Sequence, residues 1–479
     1  MKAVRWWRVV AVLLTFSVLA AACGSDDEEE TDAADTTEVE EGAESETETD
    51  AESEGGEAEE GGGEINLDEE VEVAEGTILS LPDCPSDWDP MTGITDDTIK
   101  IAMSLPESGP VAALGGLDDG MRAWFDGMEP IDGRMIELVS ADDAYDPART
   151  LSNTEEFLET EEPFAFTYMV GTPNVLAIRD LTDEECVPQL FNSTGFPDWG
   201  DPAEYPWTIG GILNYKTESV LWCNYIAEEI GEGTTVAGLF MDNDFGNVYE
   251  ENMQACSDEG TIDLIESVTH DPAAPDVTGQ ITTIAASGAD VVVLGTTGAA
   301  CPQAMAALDA QSSYDPEIFL SYTCEGIPTY FKPIDPKGEG VLVASTAKEP
   351  NDTDDPAVAE SIKRLEDAGL DPFSGSFFTG TIFGNTVELI FRQAAEYEGG
   401  LNRVNLMRAV WNADIVNPLF REGGTFKTDG INDAYMPEAA QFVRYVPPAA
   451  GEEVGRYEPV GDLVNLEGET GSVGNEGGG

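Results

Sequence analysis

Histidine is all but missing from these 479 residues: His270 is the only one. That scarcity removes imidazole acid/base catalysis and histidine-activated nucleophiles as organising chemistry. No nucleophile is seen beside a plausible base elsewhere, so the sequence is not expected to be an enzyme. Zinc is poorly served as well, because the cysteines are widely scattered and none forms a CxxC pair. No cofactor and no metal is expected. Basic residues are nearly as scarce, with 21 Lys and Arg against 96 Asp and Glu and a formal net charge of -75. Residues 26–75 hold 25 of the acidic residues and no basic one, yet 71 acidic against 18 basic residues remain from residue 76 onward. Such a surface repels nucleic acid and other polyanions at long range. It leaves cationic and zwitterionic ligands open, although most of the charge reads simply as a solvated face.

The first 23 residues carry an export pattern. Lys2, Arg5 and Arg8 form a positive segment, 9–19 a short apolar core, and Ala20, Ala21 and Ala22 a small-residue cleavage site before Cys23. The apolar core falls short of the roughly 20 residues that span a bilayer, so it reads as a removable signal. A cysteine just after such a site resembles the bacterial lipoprotein signal, which implies acylation of Cys23 and a lipid anchor on the outer side of the cell membrane. From there to residue 75 the chain is Glu, Asp, Ser, Thr, Gly and Ala, too poor in apolar groups to offset chain entropy. A disordered acidic tether is expected over 23–75, an N-terminal extension over 76–96, and a flexible acidic tail over 449–479.

Between tether and tail, short apolar β-rich runs alternate with helix-length segments. Strands are expected at 99–105, 135–140, 164–170 and 187–191, with helices at 115–127, 147–159 and 173–181 between them. A second series has helices at 217–230, 247–259, 279–287 and 302–311 and strands at 236–241, 291–294 and 318–321. Strands apolar almost throughout are covered on both faces, and such alternation argues for parallel α/β sheets. Two series imply two Rossmann-like lobes, with ligands bound beyond the carboxyl ends of the strands, in the cleft between lobes.

The segments IKIAMSLPESGP (99–110), GRMIELVSADDAYDP (133–147), DNDFG (242–246), VTGQITTIAASGADVVVLG (277–295) and NPLFREGGTF (417–426) resemble the leucine/isoleucine/valine-binding protein family. These are type I periplasmic binding proteins that deliver solutes to ABC importers. The resemblance implies two lobes joined by three crossovers: lobe 1 at 97–212 plus 345–412, lobe 2 at 213–344 plus 413–448, closing on a ligand. It implies an ABC permease as partner and an amino acid or similar small zwitterion as ligand. In the family a ligand carboxylate meets hydroxyls and N–H groups of the first lobe, a role that falls here on Thr172, Ser193 and Thr194, near a helix start where anions are favoured. The glutamate that takes the α-ammonium aligns with Glu325 in YTCEG (322–326). Phe245 matches an aromatic that packs on the ligand, and Thr297 lies on the same wall. Leu114 and Thr381 fall near positions where amino-acid-binding members commonly carry tyrosine. Asp142 and Asp143, which could pass for a metal or catalytic pair, are read as shaping a strand end.

Six cysteines besides Cys23 suggest three disulfides in an exported chain, with fifteen possible connectivities. The pairing expected is Cys84 with Cys186, Cys223 with Cys256, and Cys301 with Cys324. A ligand sensor of the same fold, reporting an amide or amino acid to a membrane partner, is the alternative function.

Overall fold

The computed structural model describes residues 65–468 and 471–473. The signal, Cys23 and the tether as far as residue 64 lie outside the described residues. The chain enters as a hairpin of β1 (Glu70–Ala74) and β2 (Thr77–Ser80). This corrects the expected tether, whose last residues are a strand. Val73 and Leu79 are buried, and Asn412 Nδ2 donates to Val73 O at 2.7 Å. Four apolar side chains at 71–79 suffice to fasten a segment whose average composition reads as disordered.

Lobe 1 follows as β3 (Thr98–Leu105), α1 (Leu117–Asp126), β4 (Met135–Asp142), α2 (Pro147–Thr160), β5 (Ala165–Thr167), α3 (Thr172–Glu184), β6 (Gln189–Asn192) and β7 (Thr208–Gly210). Its sheet is parallel, in the order β4-β3-β5-β6-β7. Lobe 2 starts with α4 (Tyr215–Tyr225), which runs on through one π-helical turn to Ile230. Then come β8 (Thr234–Met241), α5 (Asp244–Asp258), β9 (Ile262–His270), α6 (Thr278–Ser287), β10 (Val291–Gly295), α7 (Ala300–Asp309), β11 (Glu317–Leu320) and β12 (Leu342–Ser345). The strand β9 was not anticipated. It forms an edge, its side chains alternate between exposed and half-buried, and its acidic and hydroxyl residues mask the apolar signal.

The chain then returns to lobe 1 with α8 (Pro356–Asp367), α9 (Phe377–Glu396), α10 (Arg403–Trp411) and a small pair, β13 (Asp414–Ile415) and β14 (Phe426–Lys427). It crosses back as β15 (Ala439–Val446), which lies antiparallel beside β12, and adds β16 (Arg456–Pro459) and β17 (Val464–Asn465) to it. Two boundaries therefore move. Ile415, Leu419, Phe420, Phe426 and Met436 pack into the lobe 1 core, so the third crossover comes near 437, not 412. The expected flexible tail instead supplies two strands, and Ser472 Oγ and Val473 N bond to Ile431 O and Gly200 O of lobe 1. Tail residues 456–473 thus strap both lobes.

The three disulfides pair as expected: Cys84 with Cys186, Cys223 with Cys256, and Cys301 with Cys324. The first holds the extension to lobe 1, where Trp88 Nε1 also donates to Cys186 O at 2.9 Å. No helix among the described residues is long and apolar enough to cross a membrane.

Helices α1 and α9 cross at very close range, and glycine makes this possible. A Cβ on Gly120 would lie 2.0 Å from Phe377 O, and one on Gly380 would lie 2.2 Å from Leu117 O. This contact fixes the N-terminal half of α9, which faces the cleft. Gly380→Ala is accordingly expected to destabilise the protein by about 1–3 kcal/mol, read as a lower denaturant midpoint, whereas Gly279→Ala, with open space around it, should cost far less.

Candidate functional site

The lobe 1 wall is built from two loops at the carboxyl ends of its strands. After β5 the chain turns at Gly171, whose φ of +98° and the Tyr145 ring 2.5 Å from any added Cβ both require glycine. Thr172 and Pro173 then open α3, leaving the N–H groups of its first turn without helical partners. Ser193 follows β6, its N–H donating to Met169 O at 2.9 Å. Thr172 and Ser193 line the cavity. Thr194 does not: it is fully buried behind Thr172, and the two hydroxyls bond to each other at 2.6 Å. It orients the threonine that faces the ligand space.

Asp142 and Asp143 have a structural task. Asp143 accepts from Ser104 Oγ (2.8 Å), Thr150 Oγ1 (3.0 Å) and Tyr145 N (2.8 Å). Asp142 accepts from Ser108 Oγ at 2.6 Å and Ala144 N at 2.9 Å. Between them they hold Ala144 and Tyr145 at φ of +52° and +64°, a conformation that such residues adopt only when neighbours impose it. The result is Tyr145 on the cavity wall, a contribution the sequence reading missed.

On lobe 2, Phe245, Thr297 and Glu325 all line the same cavity. Phe245 packs edge-on to Tyr215 at 4.9 Å, and Tyr215 lies against Tyr249 at 5.1 Å. Under this aromatic layer sits Glu218 of α4, fully buried, accepting from Tyr249 Oη at 2.6 Å and Tyr322 N at 2.8 Å. Burial pushes its carboxyl up to about 8, against the lowering effect of those two donors. Glu218 thereby pins the start of the segment 322–325, and the Cys301–Cys324 bridge pins its end. No sequence signal marked Glu218 beyond an acidic residue in a helix of mixed composition.

Glu325 itself is only partly covered as a residue, yet its Oε2 is sealed from solvent and has no hydrogen-bond partner. Burial raises its carboxyl to about 7, opposed by the Ser345 hydroxyl, the Arg421 guanidinium and the Thr346 N–H. Its backbone carbonyl accepts from Tyr457 Oη of β16 at 2.5 Å, so the tail reaches the site. Glu349 stands close by, its carboxyl held well above the usual range by burial and by Glu325. Thr297 Oγ1, Tyr322 Oη and Tyr330 Oη are also buried without partners.

Leu114, Leu117, Ile382, Phe383 and Phe420 supply an apolar part of the remaining wall, beside Thr323, Thr329, Thr346, Ser376 and Thr379. Leu114 thus faces the ligand space as expected. Thr381 does not, since its hydroxyl donates to Phe378 O at 2.6 Å and bonds Ser361 Oγ, and its neighbours Thr379 and Ile382 take the cavity face. The lobes are closed. Ala299 N donates to Pro110 O (2.9 Å), Thr329 Oγ1 to Gly375 O (2.6 Å) and Lys332 Nζ to Phe373 O (3.0 Å), all across the cleft. The cavity measures about 100 Å³.

A family model described as periplasmic binding protein matches residues 98–437. A search of curated proteins finds no match. Among solved structures, a branched chain amino acid ABC transporter protein from Thermus thermophilus with bound valine is 17% identical, with a TM-score of 0.67 over 78% of this chain and 97% of that one. A fatty acid ABC transporter substrate-binding protein from Thermomonospora curvata is 17% identical, with a TM-score of 0.64 over 77% and 93%. A solute binding protein from R. palustris in complex with 4-hydroxybenzoate is 18% identical, with a TM-score of 0.65 over 77% and 97%. At these identities the likeness carries the fold, and the three ligands differ.

Two carboxyls with raised folded-state values make stability depend on pH in a definite direction. Glu218 and Glu325 bind protons in the folded state at pH values where the unfolded chain, near 4.5, has released them. Their contribution is present in full below about 4.5 and is lost as pH rises through 7 to 8. Ligand-free protein is expected to melt higher at pH 5.5 than at pH 8, by at most about 1.4 kcal/mol per pH unit for each group. Glu218→Gln should flatten this slope, and thermal melts across the range check both.

Proposed function

We propose that this chain, which belongs to the periplasmic binding protein family, is the solute receptor of an ABC importer and binds a small apolar amino acid between its lobes without chemical change. Export and a lipid at Cys23, beyond the described residues, would keep it on the outer side of the membrane within reach of the permease. One observation carries the choice of ligand: Glu325, whose Oε2 has no hydrogen-bond partner, lines a cavity whose other wall is the N-terminus of α3. An ammonium answers the first and a carboxylate the second. The separation between them is bridged only by a molecule carrying both, and its side chain meets Leu114, Ile382, Phe383 and Phe420.

Binding is also tied to closure. Glu325 belongs to lobe 2 and Thr172 to lobe 1, so one ligand can satisfy both only with the lobes together. A plain fatty or aromatic acid would fit the α3 end and leave Glu325 buried beside apolar surface, an arrangement that costs several kcal/mol unless the carboxyl is protonated.

Calorimetric titration with the common amino acids is expected to find saturable binding to a Leu- or Val-sized member. Glu325→Ala should weaken it by about 2–5 kcal/mol. Because Glu325 holds its proton up to about pH 7 in the empty site, an ammonium ligand must displace that proton below this value. Affinity should therefore fall as pH drops below 7, with proton release visible as a buffer-dependent heat. Equal affinity in the Glu325→Ala protein, or equal binding of the ligand's des-amino analogue, would sink the assignment.

A further inference from the structure

The C-terminal strap follows a course that a simple tail would not take. Strand β16 runs antiparallel to the end of β15, from Arg456 beside Val446 to Pro459 beside Val443. Val460 N then donates to Phe442 O at 2.8 Å, β17 sets Val464 beside Ala440 and Asn465 beside Ala439, and Leu466 N donates to Glu438 O at 3.1 Å. The retracing does not stop at the lobe boundary near 437. Gly471 O accepts from Ala434 N at 2.9 Å, Ser472 Oγ donates to Ile431 O at 2.7 Å, and Val473 N donates to Gly200 O at 2.8 Å. Two side-chain bonds reach a lobe 1 loop at the same place, from Asn465 Nδ2 to Gly423 O at 3.3 Å and from Thr425 Oγ1 to Glu467 Oε2 at 2.8 Å. Residues 456–468 and 471–473 therefore lie alongside the chain from 446 back to 431, across the third crossover.

A hinge works because a few residues at each crossover absorb the change in φ and ψ as the lobes swing. A lone extended segment does this at little cost. A segment with a second strand bonded along it bends only by breaking or displacing those bonds, because the ladder fixes the two chains together. The two ends of the strap are held unequally. On lobe 2, Val454, Tyr457, Val460 and Leu466 pack against the core, and Tyr457 Oη bonds the Glu325 carbonyl. On lobe 1 the strap is held by the polar bonds just described, with Ser472 buried among them. All of these bonds coexist with the closed lobes, so any that opening breaks is a contribution to the closed state.

We propose that the C-terminal strap is a hinge splint: bonded to both sides of the third crossover, it biases the lobes toward the closed arrangement and slows their opening, and with it the release of whatever they enclose. The splint requires two hinged lobes and no particular ligand, so it stands apart from the choice of an amino acid above. Each net hydrogen bond shifts an equilibrium by about two- to tenfold. Losing the lobe 1 end of the strap is accordingly expected to raise the open fraction by roughly tenfold.

Ala299 N donates to Pro110 O across the cleft, so its hydrogen exchange follows the parting of the lobes with no ligand present. The full chain is compared with two shortened chains, one ending at Gly471 and one at Leu466, with the amides of β10 reporting global stability. The splint predicts faster exchange at Ala299, by about two- to fivefold in the first and roughly tenfold in the second, with β10 unchanged in both. Where the chain ending at Leu466 does not fold, the one ending at Gly471 decides. Equal acceleration at Ala299 and β10 would mean that the strap only stabilises the fold. Unchanged exchange at Ala299 would mean that the strap does not act on the hinge. Either result overturns the proposal.

Discussion

Closing two lobes over a carboxyl with one unbonded oxygen is unfavourable, and the supports around Glu325 are arranged around that constraint. Glu325 follows the short helical turn 322–324 beyond β11 of lobe 2, and its Oε2 is sealed from solvent without a hydrogen-bond partner. The closed form therefore carries a charge or a proton it would not need in the open form. On the proposed reading a ligand ammonium would remove that difference, so that ligand binding and lobe closure would favour each other. The α3 end acts in the complementary sense, offering N–H groups and hydroxyls to a carboxylate from the opposite lobe.

Such a device works only if neither wall can yield. On lobe 2 the backbone before Glu325 is held by Glu218 through Tyr322 N, with the Cys301–Cys324 bridge one residue away and Tyr457 on the Glu325 carbonyl. On lobe 1 Asp142 and Asp143 force Tyr145 into a conformation it would not choose, and the Gly120–Gly380 contact fixes the face of α9. Each of these supports is itself buried and polar or sterically tight. Rigidity at the site is thus obtained from groups that would weaken a simple core, a common arrangement around binding sites.

How far the chain could be read in advance follows from the same physics. Strands covered on both faces, such as β10 with five buried residues in a row, announce themselves, whereas Glu325 lies past β11 after a short turn. The edge strand β9 and the hairpin strand β1 are half-exposed, and their acidic residues hide the alternation. Glu218, Tyr145, Tyr322 and Tyr330 become site residues only through tertiary placement; nothing local separates them from other glutamates and tyrosines. Thr194 shows the reverse error, for its hydroxyl-rich loop was read correctly but the pleat directs it away from the cavity. The C-terminal strap escaped for a compositional reason. Gly and Glu dominate its average, while a few residues, Tyr457, Val464 and Ser472 among them, decide its fate.

The acidic surface bears on ligand choice more than its bulk suggests. A net charge of -75 sets up a field that a free carboxylic acid must climb to reach the cleft, whereas a zwitterion feels almost none of it beyond a Debye length of about 8 Å. On the proposed reading, discrimination against anions would begin before contact and continue inside at Glu325. The counterweights are local: the α3 N-terminus and its hydroxyls act over the first turn alone, and the Arg421 guanidinium acts on Glu325. Long-range repulsion of anions and short-range capture of a carboxylate are compatible only when the carboxylate arrives with its own positive charge, and that is the physical case for an amino acid over a simple acid in this cleft.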